Sequence, residues 1–489
     1  MGEPAFVSTL LAAALGTLLC AALVKRRAGG GMLYTVRFPI LVPHTVVALF
    51  IMTLLGQTGI VARAAYGLGL ISDYTKFPQI LFTPGYGGAI AGYLWKEIPF
   101  VAYYTLALMA SVSNTLGEAA ENLGASPLRS FFSVTLPMSL PAVSKAALII
   151  FIYAFGGYEL PALLGSTLPK ALPVQAYITY LSPDLLQRPL AMAMFGVILM
   201  LSVLMAALYS IGIRRLIKRL GGMKRGRLLK PVLWLTAACI ILPAIVLLIW
   251  CFAARWPWPG ILPESLSLRT VKELIFGSAK LPKLLLSSIS LSFAVAAIST
   301  TIGIATARAT ELYEFRGKGL IRFFSLLPLL VPGTVLAIGA QIMLLKVGLG
   351  DSIAGIILIH TVASVPYCIT IMTDVTAALG DKFEEQAATL GAGPFRAFFE
   401  VALPNLMPGI MSSFSMGFII SYSQYFTTLI IGGGRINTIS LVLVPYIQGG
   451  DRSLASVYAM AFTLSALGVF AMLELLIYNV NKGGKGADA

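Results

Sequence analysis

Eleven apolar stretches, each about the length of a bilayer span, divide this chain. They fall near 5–24, 39–57, 87–109, 138–160, 189–211, 231–252, 283–307, 325–347, 353–374, 408–430 and 455–479. About 20 apolar residues in a helix cover the roughly 30 Å hydrocarbon core of a membrane. The sequence is 58% hydrophobic and only 11% charged, against about 25% charged in a soluble domain. A soluble enzyme is therefore excluded, and the reading is an all-α polytopic membrane protein. The first stretch is followed, not preceded, by Lys25-Arg26-Arg27 and is a full span long. It is expected to be a retained transmembrane helix, not a signal peptide.

The net charge of +15 reads as an orientation code, not a nucleic-acid surface, because Lys and Arg hold loops on the cytoplasmic side. With the N-terminus outside, the segments 25–38, 110–137, 212–230, 308–324, 375–407 and the C-terminal tail face inward. They hold 21 of the 35 basic residues, including the dense cluster from Arg214 to Lys230. The expected location is a cell (inner, cytoplasmic) membrane with the C-terminus in the cytoplasm. Lys96, Lys145 and Lys346 fall within spans.

The chain repeats itself. Residues 118–143 (EAAENLGASPLRSFFSVTLPMSLPAV) and 385–410 (EQAATLGAGPFRAFFEVALPNLMPGI) agree at 13 of 26 positions, at an offset of 267. Upstream, FPILVPHTVVA from Phe38 echoes LPLLVPGTVLA from Leu327 at an offset of 289. The first half therefore holds about 22 extra residues, around 58–86. Each half supplies five spans, and an odd count would invert the second unit. The extra helix at 231–252 restores the parity, so the repeats are expected to be parallel, unlike the inverted repeats of many secondary transporters. The predicted organisation is a first half at 1–212, a basic linker with an extra helix and external loop at 213–282, and a second half at 283–489.

Each repeated loop has an acid at the start of a short helix, a Gly six residues later, then Pro and a pair of phenylalanines (Phe131 and Phe132; Phe398 and Phe399). Gly allows a tight turn and Pro suits the first turn of the next helix. Exposed apolar residues at a membrane surface call for lipid or a partner, and two matched elements suit a partner with two-fold symmetry.

Glu-Ala-Ala, three residues, Gly and an eventual Leu-Pro resembles the signature loop of binding-protein-dependent ABC importer permeases, the MetI-like transmembrane family. The copies are Glu118, Ala119, Ala120, Gly124 and Pro137, and Glu385, Ala387, Gly391 and Pro404. Gln386 stands where the family prefers Ala. Fusion of both halves in one chain is similar to the iron(III), thiamine and polyamine-type permeases. The resemblance implies that these loops couple to a separate cytoplasmic ABC ATPase, present in two copies and carrying ATP and Mg. It also implies delivery of a small polar solute by an extracytoplasmic binding protein. The chain itself offers no phosphate-binding loop, since Gly317-Lys318 and Gly484-Lys485 are each followed by Gly where Ser or Thr is needed. No catalytic residue, cofactor or nucleic-acid partner is expected. No metal site is expected either, because the four cysteines, and the two histidines His44 and His360, are scattered in apolar surroundings.

Charges inside spans are costly and tend to face a cavity or each other. Candidate pathway residues are Lys96 and Glu97 in the third span, Tyr158 and Glu159 near the outer end of the fourth, and Gln424 and Tyr425 at the matching point of the second half. For Lys96 and Glu97 interhelix pairing is the leading alternative to lining the pathway. An ion-gradient-driven transporter or channel is the alternative class, and it leaves the twin loops unexplained. A membrane-embedded enzyme lacks a catalytic constellation.

Overall fold

The computed structural model describes residues 2–25, 30–217, 229–276 and 281–485. Arg26 and Arg27, the heart of the basic cluster at 218–228 and the last four residues lie outside them. Apart from one small antiparallel pair, Ala253–Arg255 with Ser265–Leu266, the regular elements described are helical. Among the described residues nine helices are long and apolar enough to cross a membrane, and one bent pair adds a tenth. The Gly87–Val112 helix, 26 residues long, also has the length to span and carries Lys96 and Glu97.

The repeat extends to element boundaries. Shifted by 267, the helices Gly87–Val112, Glu118–Asn122, Leu136–Gly156 and Glu159–Leu164 fall on Ile353–Leu379, Lys382–Thr389, Leu403–Tyr422 and Phe426–Ile431. The helix Leu229–Phe252 has no counterpart.

Four expected spans are not single helices. The span expected at 39–57 is broken at Val42-Pro43, between the helices Gly30–Leu41 and His44–Leu55. The one at 325–347 turns by 105° between Lys318–Leu330 and Gly333–Lys346. Both breaks lie in the echoed Val-Pro. Proline has no N–H, clashes with the preceding turn and pushes its predecessor out of the helical region. The spans expected at 138–160 and 408–430 are interrupted at Gly157-Tyr158 and Ser423-Gln424-Tyr425, again equivalent positions. Each is followed by one six-residue helix.

Two compact units emerge. One gathers residues 1–278 with 330–335 and 443–460; the other holds 279–329, 336–442 and 461–489. Within the first unit, the Gly2–Lys25, Gly87–Val112 and Leu136–Gly156 helices form the centre, sealed by Ala12, Val101, Ala146 and Ile150. Gly156 allows the segment 330–335 to sit against it. A Cβ there would lie 2.2 Å from Pro332, and Thr334 Oγ1 donates to its carbonyl at 3.0 Å. In the second unit, Leu281–Leu312, Ile353–Leu379 and Leu403–Tyr422 form the centre around Ala307, Met372 and Leu406.

The two segments without a counterpart in the second half fasten to each other. Arg63, 3% exposed, lies in the 58–86 insertion. It donates to the carbonyls of Thr58, Trp256, Pro257 and Gly260 and lies under the rings of Trp256 and Trp258. Tyr66 and Tyr74 meet Trp258 edge-on. A guanidinium with its fork filled by carbonyls avoids the cost of an unsatisfied buried donor.

Candidate functional site

The paired Glu-Ala-Ala loops share one backbone geometry. In the first, Gly124 has φ +91° and its amide donates to the Glu121 carbonyl at 2.9 Å, while Ala125 N donates to Ala120 O at 3.0 Å. In the second, Gly391 has φ +88°, its amide donates to Ala388 O at 3.0 Å, and Ala392 N donates to Ala387 O at 3.0 Å. This is the Schellman cap, in which a left-handed residue closes a helix end. The glycine is needed for its φ, since a Cβ at either position would touch nothing. Ala120 and Ala387 thus supply capping carbonyls, and Glu118 and Glu385 stand exposed in the first turn of each short helix. Ala119 is exposed as well, as is the departing Gln386.

Among the described side chains, the residue before each glycine is the most exposed apolar one of its loop: Leu123 at 90% and Leu390 at 88%. Sequence reasoning passed over these leucines for the phenylalanines, although both repeats print Leu-Gly at the same place. The phenylalanine pairs instead brace the return, edge to face at 5.1 Å in the first loop and 5.0 Å in the second. They sit on wide π-helical turns, Phe131–Thr135 and Ala397–Ala402. Pro137 and Pro404 follow in the first turn of the next helix. A widened turn accommodates the missing N–H and the bulk of the proline ring.

What anchors each loop differs. In the first, Ser130 Oγ donates to Gly117 O at 2.8 Å. The equivalents are Ala397 and Glu384, so that bond is absent from the second copy. There, Arg308 Nη2 donates to Glu384 Oε2 at 2.9 Å, Nη1 lies 2.9 Å from Oε1, and the guanidinium stacks over Phe398 at 4.8 Å. The first loop thus has a neutral bond where the second has a forked, mostly buried ion pair.

The candidate pathway residues are divided between the units: Lys96, Glu97, Tyr158 and Glu159 in the first, Gln424 and Tyr425 in the second. Lys96 Nζ donates to the carbonyls of Ile40, at 3.2 Å, and Val42. These are acceptors that the Pro43 break frees at a helix C-terminus, where a cation is also favoured by the helix dipole. Glu159 lies within electrostatic reach of Lys96. Glu97 is 4% exposed, and neither carboxyl oxygen has a hydrogen-bond partner among the described residues. Tyr158 precedes the short Glu159–Leu164 helix and meets Tyr177 edge-on at 5.1 Å. Gln424 is bound into its break: its carbonyl accepts from Thr428 and Ser440, and its side chain accepts from Thr427. Tyr425 is 8% exposed beside it.

Two residues at these breaks escaped sequence reasoning. Tyr93 Oη donates to Ala154 O at 3.3 Å. His360, 267 residues later, meets Ser421 at 3.0 Å through Nδ1 and Thr428 at 3.2 Å through Nε2. His360 stands alone in an apolar stretch of sequence, but its partners are hydroxyls more than sixty residues away. His44 likewise meets Tyr153 Oη at 3.1 Å.

Two like helical repeats, each with a glycine-capped, leucine-tipped loop at the same place, define a membrane permease subunit. The chain belongs to the family described as binding-protein-dependent transport system inner membrane component, whose profile matches residues 12–221 and 299–483. The inner membrane ABC transporter permease protein YnjC of Escherichia coli K12 is 25% identical over 416 residues, covering 83% of this chain and 75% of that protein. The molybdate/tungstate transport system permease protein WtpB of Pyrococcus abyssi is 30% identical over 191 residues, 39% of this chain and 76% of that one. The ferric transport system permease protein FbpB of Actinobacillus pleuropneumoniae is 26% identical over 220 residues, 42% of this chain and 31% of that one.

Proposed function

We propose that this chain is the transmembrane permease subunit of an ATP-driven importer, with both permease halves fused. The observation that carries the reading is the pair of Schellman-capped loops, equivalent to the residue, each presenting an exposed leucine. A separate ABC ATPase in two copies, binding ATP and Mg, would receive Leu123 and Leu390 in matching grooves. Glu118 and Glu385 would face basic residues beside them. Closure of the ATPase pair then biases the permease between its two states, because a coupling element transmits only what both bodies can bind differently. The N-terminus lies outside, the loops and C-terminus lie in the cytoplasm, and a binding protein delivers the solute from the outer side.

The helix breaks near Tyr158-Glu159 and Gln424-Tyr425 are the hinge points of this scheme, and Lys96 and Glu97 are their packed support. Resemblance offers iron(III), thiamine and polyamines as solutes, and the relatives' names add molybdate and tungstate. The test reconstitutes the chain with its ATPase in vesicles and measures ATP turnover with and without solute-loaded binding protein. Turnover that needs the binding protein is expected. Solute uptake that persists without the ATPase and collapses on adding a protonophore would favour an ion-gradient transporter instead.

A further inference from the structure

The first unit contains a cavity of about 560 Å³ at the end of the Gly87–Val112 helix opposite the Glu118 loop. Its walls come from the end of the His44–Leu55 helix, the 58–86 insertion, the Glu159–Leu164 helix and the turn leading into the Arg452–Lys485 helix. Topology places all four segments on the outer side. The lining mixes apolar residues, among them Leu49, Leu81, Leu163 and Phe82, with polar groups from three glutamines and Arg452. A mostly apolar cavity of this size with a few convergent polar groups has the form of a small-molecule site.

Charge decides what fits. Among the described residues no Asp or Glu lines the cavity. The guanidinium of Arg452 rests over Trp250 at 5.7 Å, and among the described residues its side chain forms no ion pair or hydrogen bond. The two nearest acids in sequence, Asp451 and Asp73, stand outside the lining, where Asp451 Oδ1 accepts from Leu454 N at 3.0 Å and Asp73 Oδ1 from Thr75 N at 2.9 Å. A second guanidinium, Arg63, lies within electrostatic reach. The partners of Arg63 are neutral carbonyls, so it adds positive charge on the Arg452 side. A guanidinium with an open fork in the wall of a mostly apolar cavity suits a bound anion that accepts from that fork.

Size narrows the anion. A water occupies about 30 Å³, and a bare tetrahedral oxyanion is only a few times that, which would leave the apolar walls without contact from the ligand. We propose that this cavity is an outer subsite for a small organic anion, whose carboxylate or phosphate meets Arg452 and whose uncharged body lies against the apolar wall within reach of the glutamine amides. The proposal names a solute class for the importer reading and rests on that reading for the direction of travel. It disfavours polyamines, thiamine and free metal cations at this position.

The experiment measures equilibrium binding to the full chain in lipid nanodiscs with citrate, glycerol 3-phosphate, molybdate and putrescine. Citrate and glycerol 3-phosphate separate carboxylate from phosphate recognition. At least one of them is expected to bind at one site, more tightly than molybdate, with putrescine silent. Arg452→Gln is expected to weaken binding at least tenfold. Gln79→Glu, which adds an acid at an exposed rim position where folding is not at stake, is expected to do the same. The proposal is overturned if neither organic anion binds, if putrescine competes, or if both variants bind as the parent does. Binding-protein-dependent ATP turnover in the same preparation tests the importer reading separately, so the two can fail independently.

Discussion

Tyr93 donates its hydroxyl to the carbonyl of Ala154, and 267 residues later His360 meets Ser421 at the same two positions of the second repeat. Each pair ties a long helix to the last turn before a break. The chemistry has diverged while the geometry has stayed. Tyr93 reaches a carbonyl across one contact, whereas His360 uses both ring nitrogens and spans the break through Ser421 and Thr428. His360 thus bridges its break, whereas Tyr93 holds the near side of its own.

His360→Leu is expected to cost about 1–3 kcal/mol, because it strands a buried hydroxyl, and Tyr93→Phe about 1 kcal/mol, the value of one ordinary bond. A double-mutant cycle of His360→Leu with Ser421→Ala, read by thermal unfolding in detergent, should give a coupling of about 1 kcal/mol. A coupling of zero would remove the staple from the account.

Lys96 answers a backbone need created by Pro43. Lys96→Met leaves the Ile40 and Val42 carbonyls without their donor, at about 1–3 kcal/mol for each buried acceptor. Lys96→Arg retains donors and should lose less. Recovery of monodisperse protein after heating should rank parent, then Arg, then Met. Equal recovery would mean that water serves those carbonyls instead.

Gly124→Val and Gly391→Val force a branched side chain into the left-handed region, at about 1–2 kcal/mol. The spans should survive while the loop cap opens. Amide exchange at Ala125 or Ala392, which donate to Ala120 and Ala387, should quicken roughly tenfold, the kinetic equivalent of that energy under local opening. Unchanged exchange would show that the cap does not depend on the glycine.

The loops should also differ in their response to substitution. Arg308→Gln strips Glu384 of its partner in a site where the two side chains are 16% and 21% exposed. Hydrogen bonds to charged groups are worth about 1.5–3 kcal/mol, so the second loop should gain exchange while the first keeps its protection. Ser130→Ala should do the reverse with a smaller effect, about 1 kcal/mol. Equal effects on both loops from either change would deny their separate anchoring.

Much of this was legible in the sequence. The spans follow from apolar length, and the fixed offset of 267 carries through to helix boundaries because the repeat is a repeat of local backbone needs: Gly at the cap, Pro in the first turn. The breaks at Val42-Pro43 and Val331-Pro332 stood in plain view as an echoed Val-Pro, yet apolar length treats proline as one more hydrophobic residue. Lys96 was ambiguous for a different reason. Its partners are backbone carbonyls 54 and 56 residues away, and a carbonyl has no letter in the sequence. The same holds for Arg63, which binds four carbonyls, and for the cavity that its segment helps to wall. Leu123 and Leu390 were hidden by abundance, since only burial separates an exposed leucine from the many inside.

The central claim is that the two leucine-tipped loops drive one ATPase pair. Its most direct test is binding-protein-stimulated ATP turnover of the assembled complex carrying Leu123→Asp, Leu390→Asp or both, with melting checked in parallel. Each leucine is about nine-tenths exposed, so the permease alone should melt as the parent does, while each single change lowers stimulated turnover at least tenfold and the pair abolishes it. Full stimulated turnover in the double variant would contradict the account.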